Sequence, residues 1–468
     1  MPTLSKSKYM SGLKCPRHLW FLINKPDQLP KFDAKTQARF DIGHDVGNYA
    51  KKLHPKGIEI PFSNEAIKLT KEALKKRVPL FEATFSHKNS YAKVDLLVPV
   101  HKDEWDLYEV KSSGSVKDDH VKDVSFQKYC LEGAGIKLRK CHVMFINNEY
   151  VKKGKINPKL LLESEDVTDQ LETTVEEQIT QLITIIQGKE PKVQLGTECK
   201  DPWKCPVCSN EIKGDVANLY WIGNKAWQYY NQGITHIKDL PKDFKYNQKQ
   251  LIQKANKLHV NKENIHKFLK TLEYPIYCLD FETINPTIPL FDNSHPFQQL
   301  PFQYSIHIIT KDSIEHKEFL VNHNKDPRKD LIAALKKIGP KGTILAYNAS
   351  FEKSVIEDLA DYSKKDSKWL HALIPRFQDL LTPFKNFDIY HPKQNGSCSI
   401  KAVLPAFTET SYKDLSIAEG DTAQLEFMRI TYTKVSKEEK EKIRKALLKY
   451  CERDTQAMVD ILNVLKSL

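Results

Sequence analysis

Alternating apolar and polar residues predict a pair of short strands in the first third of the chain. Leu96–Val98 and Leu107–Tyr108 are apolar, and the polar stretch His101–Glu104 lies between them. Successive side chains of a strand point to opposite faces, so every second residue here shares a face. Further on, residues 163–188 combine acidic side chains with apolar positions at helical spacing, and we expect an acidic helix there. The apolar positions of that segment are Leu171, Val175, Ile179, Leu182 and Ile185.

The second half of the chain shows the same two periodicities. Ile276–Leu279 predicts a buried strand that ends in acidic residues, and Ile344–Ala346 predicts a strand followed by a turn and the start of a helix. Residues 446–454 have a helical pattern near the end of the chain. Strands mixed with helices in this way predict an α/β protein.

The length of 468 residues is too great for one core and suits two domains and a connector. We place the domains at residues 1–210 and 273–468, with a helical connector over 211–272. Forty per cent of the residues are hydrophobic, which is sufficient for folding. No stretch is long and apolar enough to cross a bilayer, and no targeting segment is recognisable, so we expect a cytoplasmic protein and no membrane partner.

Positive charge is concentrated in the predicted connector. The formal net charge is +12, which suits a nucleic-acid backbone but is also typical of proteins from an AT-rich genome that favours lysine. Residues 238–270 contain nine lysines and three acidic residues, with apolar positions that predict amphipathic helices. Gly233–Thr235 resembles the turn of a small helical DNA-binding hairpin. The connector therefore either holds nucleic acid or is a solvated linker.

A first set of candidate catalytic residues lies on the predicted strand pair. Glu109 and Lys111 share one strand face, and Asp95 on the neighbouring strand can point to the same place. Carboxylates are the ligands that Mg²⁺ and Mn²⁺ prefer, and a bound metal would polarise a phosphodiester and activate water. Lys111 would hold that water or neutralise developing charge. The alternative is an exposed hairpin with ordinary charges.

Two further residues belong to this hypothesis. Gln127 follows on a predicted helix, where its amide could contact the scissile phosphate. Glu82 is a candidate for an additional metal ligand.

The cysteines form a second candidate site. There are nine, and a disulfide framework is not expected without a signal peptide. Cys199, Cys205 and Cys208 are spaced as Cys-x5-Cys-x2-Cys, which leaves a four-ligand site one thiolate short, and Cys15 could complete it. Zn²⁺ and a 4Fe-4S cluster both accept four cysteine thiolates, and the spacing does not separate them.

Residues 1–210 resemble the CRISPR-associated RecB-like nucleases and the AddB-type nuclease domain of the PD-(D/E)XK superfamily. The resemblance rests on Leu4–Tyr9, Cys15–Trp20 and the candidate site residues given above. It implies a PD-(D/E)XK nuclease fold in which Cys15, Cys199, Cys205 and Cys208 bind a 4Fe-4S cluster. Two positions depart from the family pattern. Gly43 is followed by Gly47 where the family often has histidine, with His44 nearby, and the family's Gln-x-x-x-Tyr becomes Gln127-x-Tyr129.

A third constellation lies in the second half of the chain. Asp280 and Glu282 share one strand face, and Glu352 follows the strand and turn at Asn348. Tyr450 and Asp454 are four residues apart and lie on one helix face. Four acids could therefore gather around two metal ions, which stabilise both the attacking and the leaving oxygen of a phosphodiester displacement. Tyr450 would orient the water.

These spacings resemble the DnaQ-like exonucleases of the RNase H fold. Asp280-x-Glu282, Asn348 through Glu352, and Tyr450-x-x-x-Asp454 match three motifs in order, with glutamate at 352 where that superfamily usually has aspartate. The whole chain resembles bacterial and archaeal fusions of a RecB-like nuclease with an RNase H-like domain of unknown function. Phe297–Ser305, Gly396–Pro405 and Asp280–Thr283 carry this likeness of the whole chain.

Together, the resemblances imply a two-domain, metal-dependent DNA nuclease. Its expected cofactors are Mg²⁺ or Mn²⁺ and a 4Fe-4S cluster, with Zn²⁺ as the alternative at the cysteines. Its expected substrate is single-stranded DNA at a free end, in repair, recombination or defence. Two alternatives stay open: a nucleic-acid-binding adaptor with one or both sites degenerate, and an RNA exonuclease.

Overall fold

The computed structural model describes residues 3–200 and 204–468 and separates into two compact units. The first unit contains the chain up to Lys213 together with Thr287–Phe297, and the second contains Gly214–Pro286 and Gln298–Leu468. Both are mixed α/β structures, as the sequence predicted. The predicted connector lies almost entirely within the second unit. Residues 1, 2 and 201–203, which belong to the predicted first domain, lie outside the described residues.

The first unit is built on a seven-stranded mixed sheet with the order β2-β3-β4-β5-β6-β7, and β1 pairs with β4. Neighbours β3–β4, β4–β5 and β6–β7 are antiparallel, whereas β5–β6 is parallel. Its elements in chain order are β1 (Leu4–Ser5), α1 (Lys6–Lys14), α2 (Pro16–Asn24), α3 (Ala34–Lys51), β2 (Ile58–Glu59), α4 (Ala66–Leu74), β3 (Leu80–His87), β4 (Ser90–Pro99), β5 (Glu104–Val110), α5 (Asp118–Gly133), β6 (Lys137–Ile146), α6 (Pro158–Leu161), β7 (Leu162–Asp166) and α7 (Val175–Gln187).

The predicted strand pair is confirmed as the antiparallel hairpin β4–β5. The two faces of β5 pack into different hydrophobic cores, because successive side chains point to opposite faces of the strand. Trp105 and Leu107 face the main core, while Tyr108 and Val110 pack on the opposite side. Glu109 and Lys111 therefore point to the same face of the sheet as Leu107.

The prediction of a helix over residues 163–188 is wrong in its first part. Leu162–Asp166 forms the strand β7, which pairs with β6, and the helix α7 begins only at Val175. The acidic residues of this strand lie exposed at the sheet edge, so their polarity resembled that of a solvated helix face. Backbone pairing with β6 determined the conformation.

The second unit contains a five-stranded sheet with the order β11-β10-β9-β12-β13, and a separate pair β14-β8. Its elements in chain order are α8 (Lys225–Asn231), α9 (Gln248–Lys254), β8 (His259–Val260), α10 (Lys262–Leu269), β9 (Ile276–Ile284), β10 (Leu300–Ile309), β11 (Ile314–Leu320), α11 (Arg328–Leu335), β12 (Ile344–Ala346), α12 (Ser350–Tyr362), α13 (Ser367–Leu373), β13 (Phe377–Asp379), α14 (Thr382–Lys385), β14 (Ile389–Tyr390), α15 (Ile400–Phe407), α16 (Gly420–Tyr432) and α17 (Lys437–Lys466).

The central strand β9 has two buried faces. Tyr277, Leu279 and Phe281 belong to the hydrophobic core that the helices α11, α12 and α13 complete. The side chains between them point the other way, toward α17, because successive side chains alternate. The strand is therefore apolar on one face, while its other face carries Asp280 and Glu282.

The long helix α17 covers that second face. Its start is fixed by Ser436, whose hydroxyl accepts a hydrogen bond from the backbone N–H of Glu439, with Glu438 and Glu439 in the first turn. Leu447, Cys451 and Thr455 are buried along one side at intervals of four residues, as a packed helix requires.

Among the described residues, no helix is long and apolar enough to cross a membrane.

Candidate functional sites

Four acidic side chains converge in the second unit. Asp280 and Glu282 come from β9, Glu352 from the first turn of α12, and Asp454 from the buried side of α17. Glu282, Glu352 and Asp454 are almost fully buried. The sequence predicted all four residues, and the structure gathers them in one place.

Short contacts connect this cluster to neighbouring side chains. The hydroxyl of Tyr412 donates a hydrogen bond of 2.5 Å to Asp454 Oδ1. The thiol of Cys451 donates to Asp280 Oδ2 over 3.5 Å. Ligand atoms of Asp280, Glu282 and Cys451 lie within 4.8 Å of one another, which is close enough to share one metal ion.

The electrostatics of the cluster show an excess of negative charge. Burial and the neighbouring carboxylates raise the pKa of Asp280 and of Glu282 well above the ordinary range. Burial raises the pKa of Glu352 to about 8 and that of Asp454 to about 6. In the described part of the chain, Glu352 Oε2 is buried and has no hydrogen-bond partner. A divalent cation therefore fits the site, because it would supply both the missing charge and the missing partner.

Access to the cluster is through a cleft of about 420 Å³. Asp280, Glu282, Tyr450 and Asp454 line it, and Gly420 at the start of α16 lies at its edge. Lys401 contacts the hydroxyl of Tyr450 over 3.4 Å. Tyr450 and Asp454 share one face of α17, as their spacing predicted.

The first unit contains the other predicted carboxylate site. Lys111 Nζ donates to Glu109 Oε1 over 2.7 Å, so these two residues share a face as expected. The backbone N–H of Val110 donates to Asp95 Oδ2 over 2.8 Å. Burial, followed by the charge of Glu109, raises the pKa of Asp95 to about 7.

Two lysines already neutralise Glu109. Lys6 Nζ and Lys111 Nζ each lie 2.7 Å from Glu109 Oε1, and Lys111 also contacts Asp123 over 2.6 Å. Burial opposes ionisation, but the two lysines lower the pKa of Glu109 below the ordinary range. The donor set of Asp95 and Glu109 is thus suitable for a hard cation, but this site has less unbalanced charge than the cluster of the second unit.

Gln127 lies behind the first site. Its side chain is completely buried on α5, and its amide nitrogen donates to Glu109 Oε2 over 2.7 Å and to Asp123 Oδ1 over 2.9 Å. The amide nitrogen is thus engaged with these two carboxylates, although the sequence had suggested a contact with the scissile phosphate. Gln127 Oε1 has no partner among the described residues.

A cleft of about 930 Å³ leads to Asp95, Glu109 and Lys111. Glu82 also lines it, in a left-handed conformation with φ 58°, and forms a salt bridge of 2.8 Å with Lys93. The helix α3 forms another wall, where His44, Gly43 and Gly47 line the cleft.

The four predicted cysteines lie together in the first unit. The sulfur atoms of Cys15, Cys205 and Cys208 are within 4.8 Å of one another, and Cys199 belongs to the same buried cluster. Donation from the Cys15 thiol lowers the pKa of Cys205 to about 5. A cavity of about 510 Å³ adjoins Cys15, Cys199 and Cys205. Four clustered thiols, three of which line this cavity, fit a thiophilic metal or an iron–sulfur cluster.

Sequence reasoning missed several residues of these sites. Lys6 lies inside Leu4–Tyr9, which carried a resemblance, but it was not assigned a role. Asp123 is four residues before Gln127 on one helix face, a signal that was available. Tyr412 has no local signal, because a loop brings it to Asp454.

Comparison with known proteins gives relatives without an established function. Residues 277–399 match a family model described as "Domain of unknown function (DUF2779)". The chain is 29% identical over 211 residues to an uncharacterized protein of Mycoplasma genitalium, MG366, covering 40% of this chain and 32% of that one. It is 29% identical over 242 residues to the uncharacterized protein UU173 of Ureaplasma parvum, covering 46% of this chain and 35% of that one. The matches thus span about a third of the length of these curated relatives.

Among solved structures, the crystal structure of SSO0001 is similar at 12% sequence identity and a TM-score of 0.24, over 45% of this chain and 84% of that one. The DUF2779 match includes Asp280, Glu282 and Glu352 and ends before Tyr450 and Asp454.

Proposed function

We propose that this chain is a divalent-metal-dependent nuclease that hydrolyses phosphodiester bonds of DNA at single-stranded ends. The carboxylate cluster of the second unit is its principal catalytic centre. One observation carries the proposal: four acids are gathered in a buried site where their pKa values are raised, and one of them has an unpartnered buried oxygen. Such a site favours a bound divalent cation.

Each residue of the cluster has a role in this proposal. Asp280, Glu282 and Asp454 would hold the metal, and Glu352 would contribute a further ligand or orient one. Bound Mg²⁺ or Mn²⁺ would polarise the phosphodiester and lower the pKa of an attacking water. Tyr450 would orient that water, since this residue lines the cleft beside Asp280, Glu282 and Asp454. Tyr412 fixes the orientation of Asp454 through its hydrogen bond.

The first unit is proposed as a PD-(D/E)XK-type nuclease domain, and the second as an RNase H-like exonuclease domain. In the first, Asp95 and Glu109 hold the metal, while Lys111 neutralises charge on the phosphate. Cys15, Cys199, Cys205 and Cys208 would hold a 4Fe-4S cluster, which would tie the start of the chain to the end of this domain. Repair, recombination and defence against foreign DNA are the settings that need such an activity.

The test is cleavage of end-labelled single-stranded DNA by protein purified without oxygen, with Mn²⁺ present. Wild type is compared with Asp280→Asn and Asp95→Asn, and with Asp361→Asn as a control for an exposed acid of the second unit. We expect wild type and the control to shorten the strand, and Asp280→Asn to lose most of the activity. Full activity of Asp280→Asn would contradict the assignment of the catalytic centre.

A binding role for the first unit is the second candidate function. Two lysines already neutralise Glu109, which favours this role. Gly47 also favours it, because the RecB-like nucleases that this unit resembles often carry histidine at that position. In that case Asp95→Asn leaves cleavage unchanged. Loss of a distinct set of products in Asp95→Asn would instead support two nuclease sites.

A further inference from the structure

We propose that Trp221 of the second unit is a stacking platform for an unpaired base of single-stranded DNA. The inference deepens the proposed function and rests on it for the choice of DNA as the ligand. Trp221 is 83% exposed, which is unusual for the largest apolar side chain. Its φ of 56° lies in the left-handed region, which bulky residues rarely adopt. Exposure and backbone strain at one aromatic residue point to a function outside folding.

The backbone next to Trp221 is held rigidly. Two buried glutamines of α9 bind it: Gln253 Oε1 accepts from the N–H of Tyr220 over 2.9 Å, and Gln250 Nε2 donates to the Tyr220 carbonyl over 2.9 Å. Gln253 Nε2 also donates to the carbonyl of Asn218 over 3.0 Å. These buried amides anchor the backbone immediately before Trp221, so an ordered loop presents the indole to solvent.

Beside Trp221 lies a recess of about 450 Å³. Ile222, Tyr229 and Phe244 contribute apolar and aromatic surface to it. Two exposed lysines, Lys225 and Lys245, and one exposed acid, Asp243, stand at its rim. The recess therefore offers a flat ring, an apolar floor and a net positive rim.

Further positive charge is fixed on aromatic rings nearby. Lys249 Nζ lies 5.1 Å from the ring centre of Tyr220, and Lys254 Nζ lies 4.1 Å from that of Tyr246. Residues 238–270, which include these two lysines, contain nine lysines and three acidic residues. Lys225 and Lys245 at the rim of the recess are complementary to a phosphate backbone, and the cation–π contacts orient the charges of Lys249 and Lys254.

The combination selects single-stranded nucleic acid over other anionic partners. Every base has a flat face that stacks on an aromatic ring, and lysines contact the phosphates on either side. In a duplex those faces are covered by neighbouring base pairs, so Trp221 could stack only at an end. An acidic protein surface would satisfy the lysines but would leave the exposed indole without a flat partner.

The test is binding of a fluorescent oligothymidine to the full chain, measured by anisotropy with EDTA present so that cleavage cannot occur. Trp221→Ala and Trp221→Phe are compared with wild type, and Ile314→Ala removes a different exposed apolar side chain of the same unit as a control. We expect Trp221→Ala to weaken binding about tenfold or more, since stacking on one aromatic ring contributes that much. Trp221→Phe should retain most of the affinity, and Ile314→Ala should bind as wild type does.

Three comparisons decide the outcome. Lys245→Gln should weaken binding and reduce its salt dependence, because one phosphate contact is lost. A blunt duplex should bind less tightly than the single strand, and an RNA strand of matching sequence should not bind more tightly than DNA. Wild-type affinity in Trp221→Ala, or a preference for duplex or RNA, overturns the proposal.

Binding and cleavage are separable here. Loss of binding in Trp221→Ala together with no cleavage by wild type would support the platform and contradict the nuclease. Cleavage that depends on Asp280, with binding independent of Trp221, would do the opposite.

Discussion

Lys6 and Glu109 are 103 residues apart in the chain, yet the amine of Lys6 donates a hydrogen bond of 2.7 Å to Glu109 Oε1. Glu109 is only 2% exposed, and its negative charge is balanced by Lys6 and Lys111 together. The start of α1 therefore completes the charge balance of the first carboxylate site. Removing one partner of such a buried ion pair destabilises the folded protein, because a buried charge is left uncompensated.

We therefore predict that Lys6→Gln destabilises the first unit by about 1–3 kcal/mol. The pKa of Glu109 should rise, because Lys6 is one of the charges that lower it. Chemical unfolding, followed by a signal from the first unit, measures the change. Lys8→Gln, two residues further along α1, is the matched control and should unfold as wild type does. Equal stability of both variants would contradict the role of Lys6.

Removing one acidic side chain from the carboxylate cluster of the second unit should stabilise the metal-free protein. Burial raises the pKa of Glu352 from 4.5 to about 8, so the folded protein holds a proton that the unfolded chain has released. Below the unfolded pKa of 4.5, Glu352 is protonated in both states and does not oppose folding. As pH rises from 4.5 to about 8, the free energy of unfolding falls, because folding must keep this carboxyl protonated. We predict that Glu352→Gln is more stable than wild type by about 1–3 kcal/mol at pH ~8 in EDTA.

Added Mn²⁺ should reverse that order. Wild type gains stability by binding the ion in its folded state, whereas Glu352→Gln gains less because a ligand charge is missing. Melting temperatures with EDTA and with Mn²⁺ measure both effects. Glu357→Gln, on the exposed side of the same helix, should behave as wild type in both buffers. If Mn²⁺ shifts wild type and Glu352→Gln equally, Glu352 does not contribute to the metal site.

Loss of the Tyr412 hydroxyl should move the pH profile of cleavage. Burial raises the pKa of Asp454 to about 6, and the hydrogen bond from Tyr412 opposes that rise. In Tyr412→Phe the carboxyl group should ionise at higher pH, so the acidic limb of the rate profile should shift upward. At the optimum the rate should fall about fivefold, as expected for one lost hydrogen bond.

Tyr362→Phe removes a hydroxyl elsewhere in the second unit and is the control for this shift. Its rate profile should superimpose on that of wild type. An unchanged acidic limb in Tyr412→Phe would mean that Asp454 does not need to be ionised for cleavage.

The cysteine cluster should contain a chromophore. Cys205→Ser removes one of three sulfurs that lie within 4.8 Å of one another, and the remaining thiols should not retain a 4Fe-4S cluster. We predict loss of brown colour and a lower melting temperature, whereas Cys398→Ser, outside the cluster, should keep both. Iron and zinc analysis of the purified protein completes the measurement. Zinc without iron in wild type would assign a structural zinc site instead.

Histidine at position 47 should strengthen metal binding at the first site. A Cβ atom added at Gly47 would meet nothing within 4 Å, and this position lines the cleft that contains Asp95 and Glu109. Gly47→His therefore has room for an imidazole ligand, and isothermal titration should show tighter binding of Mn²⁺. Gly47→Ala stabilises the helix without adding a ligand, so it separates the two effects. Equal affinity in both variants would show that position 47 lies too far from the metal.

Local patterns in the sequence determined most of the secondary structure. They also determined on which face of a strand or helix most candidate residues lie. The alternation around Asp280 and Glu282 placed both acids on one face of β9, and the spacing of Tyr450 and Asp454 placed them on one face of α17. These predictions succeed because the repeats of strands and helices depend on neighbours within a few residues. The pattern failed at residues 163–166, where pairing at a sheet edge overrode a polar composition that resembled a helix.

Tertiary structure alone decided which distant side chains meet. It brought Lys6 to Glu109 and Tyr412 to Asp454, and it placed the Gln127 amide nitrogen against the buried carboxylate of Glu109. It also presented Trp221 to solvent on a rigid loop supported by Gln250 and Gln253. No strand or helix repeat in the sequence predicts these contacts, because each depends on how separate elements pack. The sequence by itself therefore determined which residues could carry chemistry, whereas packing determined their partners, their charge balance and their exposure.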